Sequence, residues 1–328
     1  MSKMDAGGTL RLTKHHGAGN DFLVLLDPDD RRPLSANEAR ALCDRHRGIG
    51  ADGVLRAVVG NAPAALSMDL RNADGGVAEM SGNGIRCLVQ AAVDAGMVSA
   101  GIVTVQTLGG VRTVEYRADA APGLGYGRVD MGRATLGVDL DAEAPVGVRW
   151  GQHVAMGNPH VVLFGPQFGD DFGDDMVRVV GPRLSSSVAG GANVEFVWPG
   201  PANGELTLRV WERGVGETLA CGTGACAAAV AAHAHGEVGT HVRVHNPGGA
   251  LDIELGADGI MLAGPTQKVA DVTMGEEVLA ALTTALDGAD SPTAGPEPTE
   301  GEVTGRARPL SAAEAASDDL STEVATRR

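Results

Sequence analysis

The feature that most constrains how this chain can fold is an internal duplication. Gly19-Asn20-Asp21-Phe22-Leu23-Val24-Leu25 returns as Gly157-Asn158-Pro159-His160-Val161-Val162-Leu163, an offset of 138. Ser81-Gly82-Asn83-Gly84 returns as Cys221-Gly222-Thr223-Gly224 at 140, and Asn72 and Glu212 each lie nine residues before these turns. Gly109-Gly110-Val111-Arg112-Thr113-Val114-Glu115 pairs with Gly248-Gly249-Ala250-Leu251-Asp252-Ile253-Glu254 at 139. Each match is weak alone, but several in order at one offset mark two copies of one plan. The sequence therefore predicts two pseudo-symmetric lobes, with a ligand site in the cleft between them.

In each copy a small polar residue opens an X-Gly-polar-Gly turn directly before a helix. Free N–H groups at a helix N-terminus attract an anion, so two such ends facing one cleft would hold a carboxylate from both sides. Residue X is Ser81 in the first copy and Cys221 in the second. A helix N-terminus lowers a thiol's pKa from about 8.5, which makes Cys221 a candidate base near neutral pH. Cys43, Cys87 and Cys226 read as core residues.

Periodicity places helices over 33–42, 84–96 and 224–235. The first has Ser35 as N-cap with Glu38 three residues on, and the other two stop at Gly96 and Gly236. Strands are expected within 9–27 and at 102–107, 111–116, 160–164, 194–198, 206–211, 242–245 and 251–255. The domain reading is a first lobe over 9–127, which 266–285 could complete, and a second lobe over 128–265. Residues 287–328, rich in Pro, Gly, Ser, Thr, Asp and Glu, read as a disordered acidic tail with a nascent helix at 311–317.

Charge and composition exclude several classes. With 42 acidic and 26 basic residues the net charge is −16 and no basic stripe stands out, which argues against nucleic acid or an anionic membrane as partner. No apolar run approaches the roughly 20 residues of a membrane span, and no signal peptide is evident, so a cytoplasmic location with reduced thiols is expected. Neither the four cysteines nor His15-His16 and His233-Ala234-His235 have metal-ligand spacing, so no metal is expected. Pyridoxal phosphate would need a Schiff-base lysine, and Lys3, Lys14 and Lys268 are the only three. None follows a phosphate-cradling loop. The alternative for moving a Cα proton is an acid and a base on opposite faces of the carbon in a dry cleft.

At this point the sequence resembles the diaminopimelate epimerase family. The stretches that carry the resemblance are His16-Gly17-Ala18-Gly19-Asn20-Asp21-Phe22, Arg45-His46-Arg47-Gly48-Ile49-Gly50-Ala51-Asp52-Gly53, Asn72-Ala73-Asp74-Gly75 and Ser81-Gly82-Asn83-Gly84-Ile85-Arg86-Cys87. Gly157-Asn158-Pro159-His160, Asn193-Val194-Glu195-Phe196, Trp211-Glu212-Arg213-Gly214 and Glu217-Thr218-Leu219-Ala220-Cys221-Gly222-Thr223-Gly224-Ala225-Cys226 follow in family order. The resemblance implies an α+β fold in which each lobe is an antiparallel, barrel-like sheet around a central helix. It also implies a homodimer, no cofactor, and a small diamino dicarboxylic acid inverted at one α-carbon between LL and meso forms, feeding lysine and peptidoglycan synthesis. By position Asn20, Asn72, Asn158, Asn193, Glu212 and Arg213 would hold the substrate. Arg213 suits a carboxylate bidentately. Gly82, Asn83, Gly222 and Thr223 would offer N–H groups, while His160 and Glu212 would flank and tune the acid–base pair.

One position departs from the family pattern. Its two acid–base groups are cysteines, and here the first is Ser81, whose hydroxyl is far less acidic than a thiol. Three readings follow: a working epimerase in which Ser81 serves as a hydroxyl acid–base, a single-base variant that uses Cys221 on another amino acid as racemase or dehydratase, or an epimerase crippled by the substitution. A fourth, non-enzymatic reading is an amino-acid-binding relic. It would need Arg213 and the amides but not Cys221.

Overall fold

The computed structural model describes residues 8–140, 147–165 and 176–289. The chain runs through the same series of elements twice. The first pass is β1 (Thr9–Gly17), β2 (Asn20–Leu26), α1 (Ala36–Cys43), β3 (Gly53–Val59), β4 (Leu66–Asn72), α2 (Gly82–Asp94), β5 (Gly101–Thr107), β6 (Gly110–Ala118) and β7 (Leu124–Asp130). After β8 (Thr135–Asp139) the second pass is β9 (Trp150–Ala155), β10 (Pro159–Phe164), α3 (Gly181–Ser187), β11 (Asn193–Pro199) and β12 (Glu205–Glu212). It continues with the short β13 (Gly216–Thr218), α4 (Gly222–Ala234), β14 (His241–Asn246), β15 (Gly249–Leu255) and β16 (Ile260–Gly275), and α5 (Glu276–Ala289) ends the described chain.

Strand pairing turns this duplication into two lobes. β1 to β7 lie in sequence order, β16 pairs with β7, and β16 returns to pair with β1, which closes an eight-stranded barrel. The second lobe is the run β16-β15-β14-β12-β11-β10-β9-β8. The single strand β16 thus belongs to both: Met261–Gln267 lie against β7, Asp252–Leu255 of β15 pair with Ala263–Ile260, and the later residues lie against β1. Most pairs are antiparallel, as expected. Four are parallel: β2–β3, β4–β5, β10–β11 and β12–β14. Each spans a helix, which is the crossover that a parallel pair requires.

The helices α2 and α4, 13 residues each, fill the two lobes. Gly82 to Ala92 are buried without a break, and so is nearly all of α4. A helix enclosed on every side has no polar face to show. In α4 the solution is Ala-Cys-Ala-Ala-Ala-Val-Ala-Ala, whose small side chains let strands approach from all directions. α1 begins as the sequence predicts, with Ser35 and Glu38 forming a reciprocal capping box. It packs with α5 over a separate cluster that includes Leu23, Leu42 and Leu279. Residues 287–289, assigned by composition to the tail, complete α5. The rest of that segment, including 311–317, lies outside the described residues. Among the described residues, no helix is long and apolar enough to cross a membrane, and no group of three His, Cys, Asp or Glu is placed to hold a metal ion.

Candidate active site

The two duplicated turns meet at the junction of the lobes. Ser81 caps α2, its Oγ accepting from the Gly84 N–H at 3.0 Å, and Cys221 caps α4, its Sγ accepting from the Gly224 N–H at 3.3 Å. The helix ends touch: a methyl group at Gly222 would stand 3.2 Å from the Gly82 Cα and 3.4 Å from the Asn83 nitrogen. Only glycine permits that approach, and it brings the free amides of both first turns together. Upstream, Gly19 and Gly157 turn with φ of +84° and +92°, and each delivers the following asparagine to the same place.

A single pocket collects most of the predicted residues. Asn20, Asn72, Ser81, Gly82, Asn158, Asn193, Glu212, Arg213, Cys221, Gly222 and Thr223 all line it. Two predicted residues do not. Asn83 lies beneath the floor, its side chain fully buried, with its Nδ2 donating to Asn20 Oδ1 at 3.2 Å and to the Ala220 carbonyl at 3.3 Å. His160 lies behind the wall, with Nε2 at 3.0 Å from Asn158 Oδ1 and Nδ1 at 2.7 Å from Glu195 Oε1. It therefore reaches the site through the orientation of Asn158 and through Glu195, whose carboxylate sits against the first turn of α4. Family position pointed at His160, whereas the buried carboxylate between it and α4 carried no signal of its own.

The electrostatics reverse one expectation. The Cys221 thiol is pushed well above its ordinary pKa, first by burial, then by the Glu212 and Glu195 carboxylates, with partial relief from the Thr223 hydroxyl and the Gly224 N–H. A helix terminus contributes at most about 2 kcal/mol to a charge, while full burial can shift a group by several pH units, so desolvation wins here. The group poised near neutrality is Glu212, pushed up to about 7 by burial and eased down by hydrogen bonds with Thr218 and Cys221. Thr218 Oγ1 donates to Glu212 Oε1. Glu212 and Cys221 are thus a hydrogen-bonded carboxyl–thiol pair in which the carboxyl titrates near neutrality while the thiol holds its proton.

The mates of these residues in the first copy lack such a pair. Asn72 stands where Glu212 stands, and Ser81 where Cys221 does. Among the described residues no carboxylate or imidazole hydrogen-bonds Ser81; its partner is the Gly84 amide. Recognition groups surround the pair. Arg213 receives its orientation from Asn193, whose Oδ1 accepts the Arg213 backbone N–H at 2.9 Å, and the guanidinium donates to the Gly190 carbonyl at 3.1 Å. Asn193 Nδ2 also approaches Cys221 Sγ at 3.9 Å. Asp52 lines the pocket and was not singled out, although Gly50-Ala51-Asp52-Gly53 lies in a matching stretch. It accepts from Asn20 Nδ2 at 2.7 Å and from Arg45 Nη2 at 2.8 Å. Burial and the nearby Asp21 raise its pKa.

Comparison with known proteins agrees with this geometry. The chain matches the family described as diaminopimelate epimerase over residues 12–137 and 153–269. It is 40% identical over 284 residues to the diaminopimelate epimerase of Desulforudis audaxviator, covering 80% of this chain and 98% of the relative. It is 40% identical over 279 residues to that of Streptomyces coelicolor, covering 79% and 93%. Among solved structures it shares its fold with a hydroxyproline epimerase from Agrobacterium vitis (TM-score 0.65, 14% identity, 86% of this chain and 100% of that one). A phenazine biosynthesis protein from Bacillus anthracis is likewise similar (TM-score 0.62, 13% identity, 81% and 99%). The chain belongs to the diaminopimelate epimerase family and is an isomerase, an amino-acid epimerase.

Proposed function

We propose that this enzyme interconverts LL- and meso-diaminopimelate by moving a proton off one face of Cα and returning one to the other, in a step that feeds lysine and peptidoglycan synthesis. The observation that carries the reading is the pairing of Cys221 and Ser81 as N-caps of two abutting helices in one pocket. The α-carboxylate lies between the helix ends, held by the amides of Gly82, Asn83, Gly222 and Thr223. Negative charge that develops on it as Cα loses its proton meets fixed N–H dipoles. Arg213 takes the distant carboxylate, and Glu212 with the asparagines takes the ammonium groups. On one face the Cys221 thiol passes its proton to Glu212, and the resulting thiolate removes the Cα proton. On the opposite face the Ser81 hydroxyl delivers a proton and in the reverse direction receives one.

A second reading, single-base chemistry by Cys221 on another amino acid, is favoured by one fact: Ser81 has no basic partner among the described residues. Incubation with LL-diaminopimelate in D2O, followed by NMR and chiral chromatography, separates the two. Deuterated meso product, lost in Cys221→Ala, is the expected result. Deuterium uptake without inversion would support the single-base reading, and no exchange at all would defeat the epimerase reading.

A further inference from the structure

We infer that Arg86 is an electrostatic positioning residue of this site: a buried guanidinium without a carboxylate partner, set behind the two helix ends to strengthen their hold on a carboxylate. The inference deepens the proposed epimerase reading and rests on it for its kinetic consequence. Arg86 lies on the second turn of the buried helix α2 and is fully enclosed. Its Nη1 donates to the Gly82 carbonyl at 2.9 Å, its Nη2 to Asn83 Oδ1 at 2.9 Å and to the Pro265 carbonyl at 3.4 Å, while its Nε has no partner. Among the described residues no Asp or Glu pairs with it. The titratable groups facing it are the thiols of Cys87 and Cys226 and the phenol of Tyr126, all with raised pKa values and so neutral near pH 7.

A buried charge of this kind is costly, and breaking its surroundings is harder still. The fold nonetheless makes room for it. A methyl group at Gly127 would stand 2.8 Å from Arg86 Cγ, and methyls at Gly17 and Gly264 would stand 3.0 and 3.2 Å from Nη2. Three strands of the barrel, β1, β7 and β16, thus carry glycine where the side chain passes. Burial lowers the Arg86 pKa to about 10, still high enough to keep the charge at neutral pH.

The position of the charge gives it a use. The two residues it holds, Gly82 and Asn83, carry the amides assigned to the reacting carboxylate. From Asn83 a line of hydrogen bonds continues across the floor: Asn83 Nδ2 to Asn20 Oδ1, then Asn20 Nδ2 to Asp52 Oδ2. A cation at one end and a carboxylate at the other fix the direction of both amides, so each turns its carbonyl toward Arg86. Loss of the Cα proton adds a second negative charge to the carboxylate, and a fixed cation behind it favours that state over the ground state. At an effective dielectric of about 20, a unit charge still changes the stability of an anion about tenfold when the two are as much as about 12 Å apart, and by more at closer range.

The test compares Arg86→Gln, which keeps hydrogen-bonding groups but loses the charge, with Arg86→Lys, which keeps the charge. Cys221 in the full-length protein is alkylated with iodoacetate and with iodoacetamide, and the modified peptide is quantified by mass spectrometry. The ratio of the two rates reports the local potential and needs no turnover. It should fall about tenfold in Arg86→Gln and recover in Arg86→Lys. In turnover of LL-diaminopimelate, kcat should fall about tenfold in Arg86→Gln with KM changed less than threefold. An unchanged alkylation ratio in Arg86→Gln would overturn the inference even if the enzyme is active. A changed ratio without epimerisation by the wild type would uphold the positive potential and defeat the epimerase reading. If Arg86→Gln does not fold, Arg86→Lys supplies the test through its own titration: its ratio should fall about tenfold relative to wild type as rising pH deprotonates the lysine, and a ratio that runs parallel to wild type over that range would overturn the inference.

Discussion

Replacing Glu212 by Gln should stabilise this protein at pH 8 while abolishing its activity. In the folded state the Glu212 pKa is about 7, against an ordinary value of 4.5. The folded protein therefore holds this proton more tightly than the unfolded chain does. The wild type is favoured below pH 4.5 and loses stability as the pH rises through 7. A displacement from 4.5 to about 7 corresponds to roughly 3 kcal/mol. Glu212 keeps partial access to water as a residue, so screening brings the working figure to about 2 kcal/mol. Gln has the same shape, can still accept from Thr218, and carries no ionisable proton. Urea unfolding at pH values from 4 to 8 should thus show equal stabilities at pH 4 and a variant more stable by about 2 kcal/mol at pH 8, with the change falling between 4.5 and 7. Turnover should fall by 10² to 10⁴, because Gln cannot take the thiol proton. Two stability profiles that run parallel across that window would refute the assignment of Glu212 as the neutral-pH titrating group.

Two further substitutions probe the halves separately. Ser81→Cys should raise kcat for LL-diaminopimelate at least tenfold, because a thiol exchanges protons near neutral pH far more readily than a hydroxyl; an unchanged or lower kcat would show that Ser81 is not limiting. Gly222→Ala places a methyl 3.2 Å from the Gly82 Cα and should push the helix ends apart, costing about 10² in kcat/KM and roughly 1–3 kcal/mol of stability; steady-state kinetics alongside thermal unfolding would expose a site that tolerates the separation.

Local signals made part of this structure legible. The Ser35–Glu38 capping box, the stops at Gly96 and Gly236, and the strands expected at 102–107, 111–116 and 242–245 depend on neighbours in sequence, and they appear as read. The long β16 was not legible, because one strand serves both lobes and its burial pattern changes partner midway, with Pro265 inside it. α5 runs three residues, Asp287-Gly288-Ala289, into a segment whose composition suggested a tail, as the last turn of a helix that Leu279 anchors against α1. At the site, duplication and resemblance located the residues that line the pocket. They did not single out Asp52, which also lines it, or Glu195 and Arg86, which lie behind it; all three are defined by what surrounds them. The direction of the Cys221 shift was misread for the same reason. The helix terminus is visible in sequence, whereas the desolvation and the two carboxylates that outweigh it are properties of the packed lobes.

The duplication also explains why the two faces of the pocket differ as a set. Asn72 and Ser81 stand as two neutral groups where the second lobe has a carboxylate and a thiol, so the carboxyl–thiol pair is confined to the second lobe. The second lobe supplies Glu212 and Glu195, while the first contributes Asp52 and Glu79 to the pocket lining. A carboxylate at position 72 would add to the charge that builds on the substrate carboxylate, whereas the neutral Asn72 does not. On the proposed mechanism, proton storage belongs to the Cys221–Glu212 side and charge stabilisation to the α2 side. In such a site the hydroxyl face limits whichever direction requires Ser81 to accept the proton. The thiol face follows the ionisation of Glu212, so the two directions should respond differently to pH between 5 and 8.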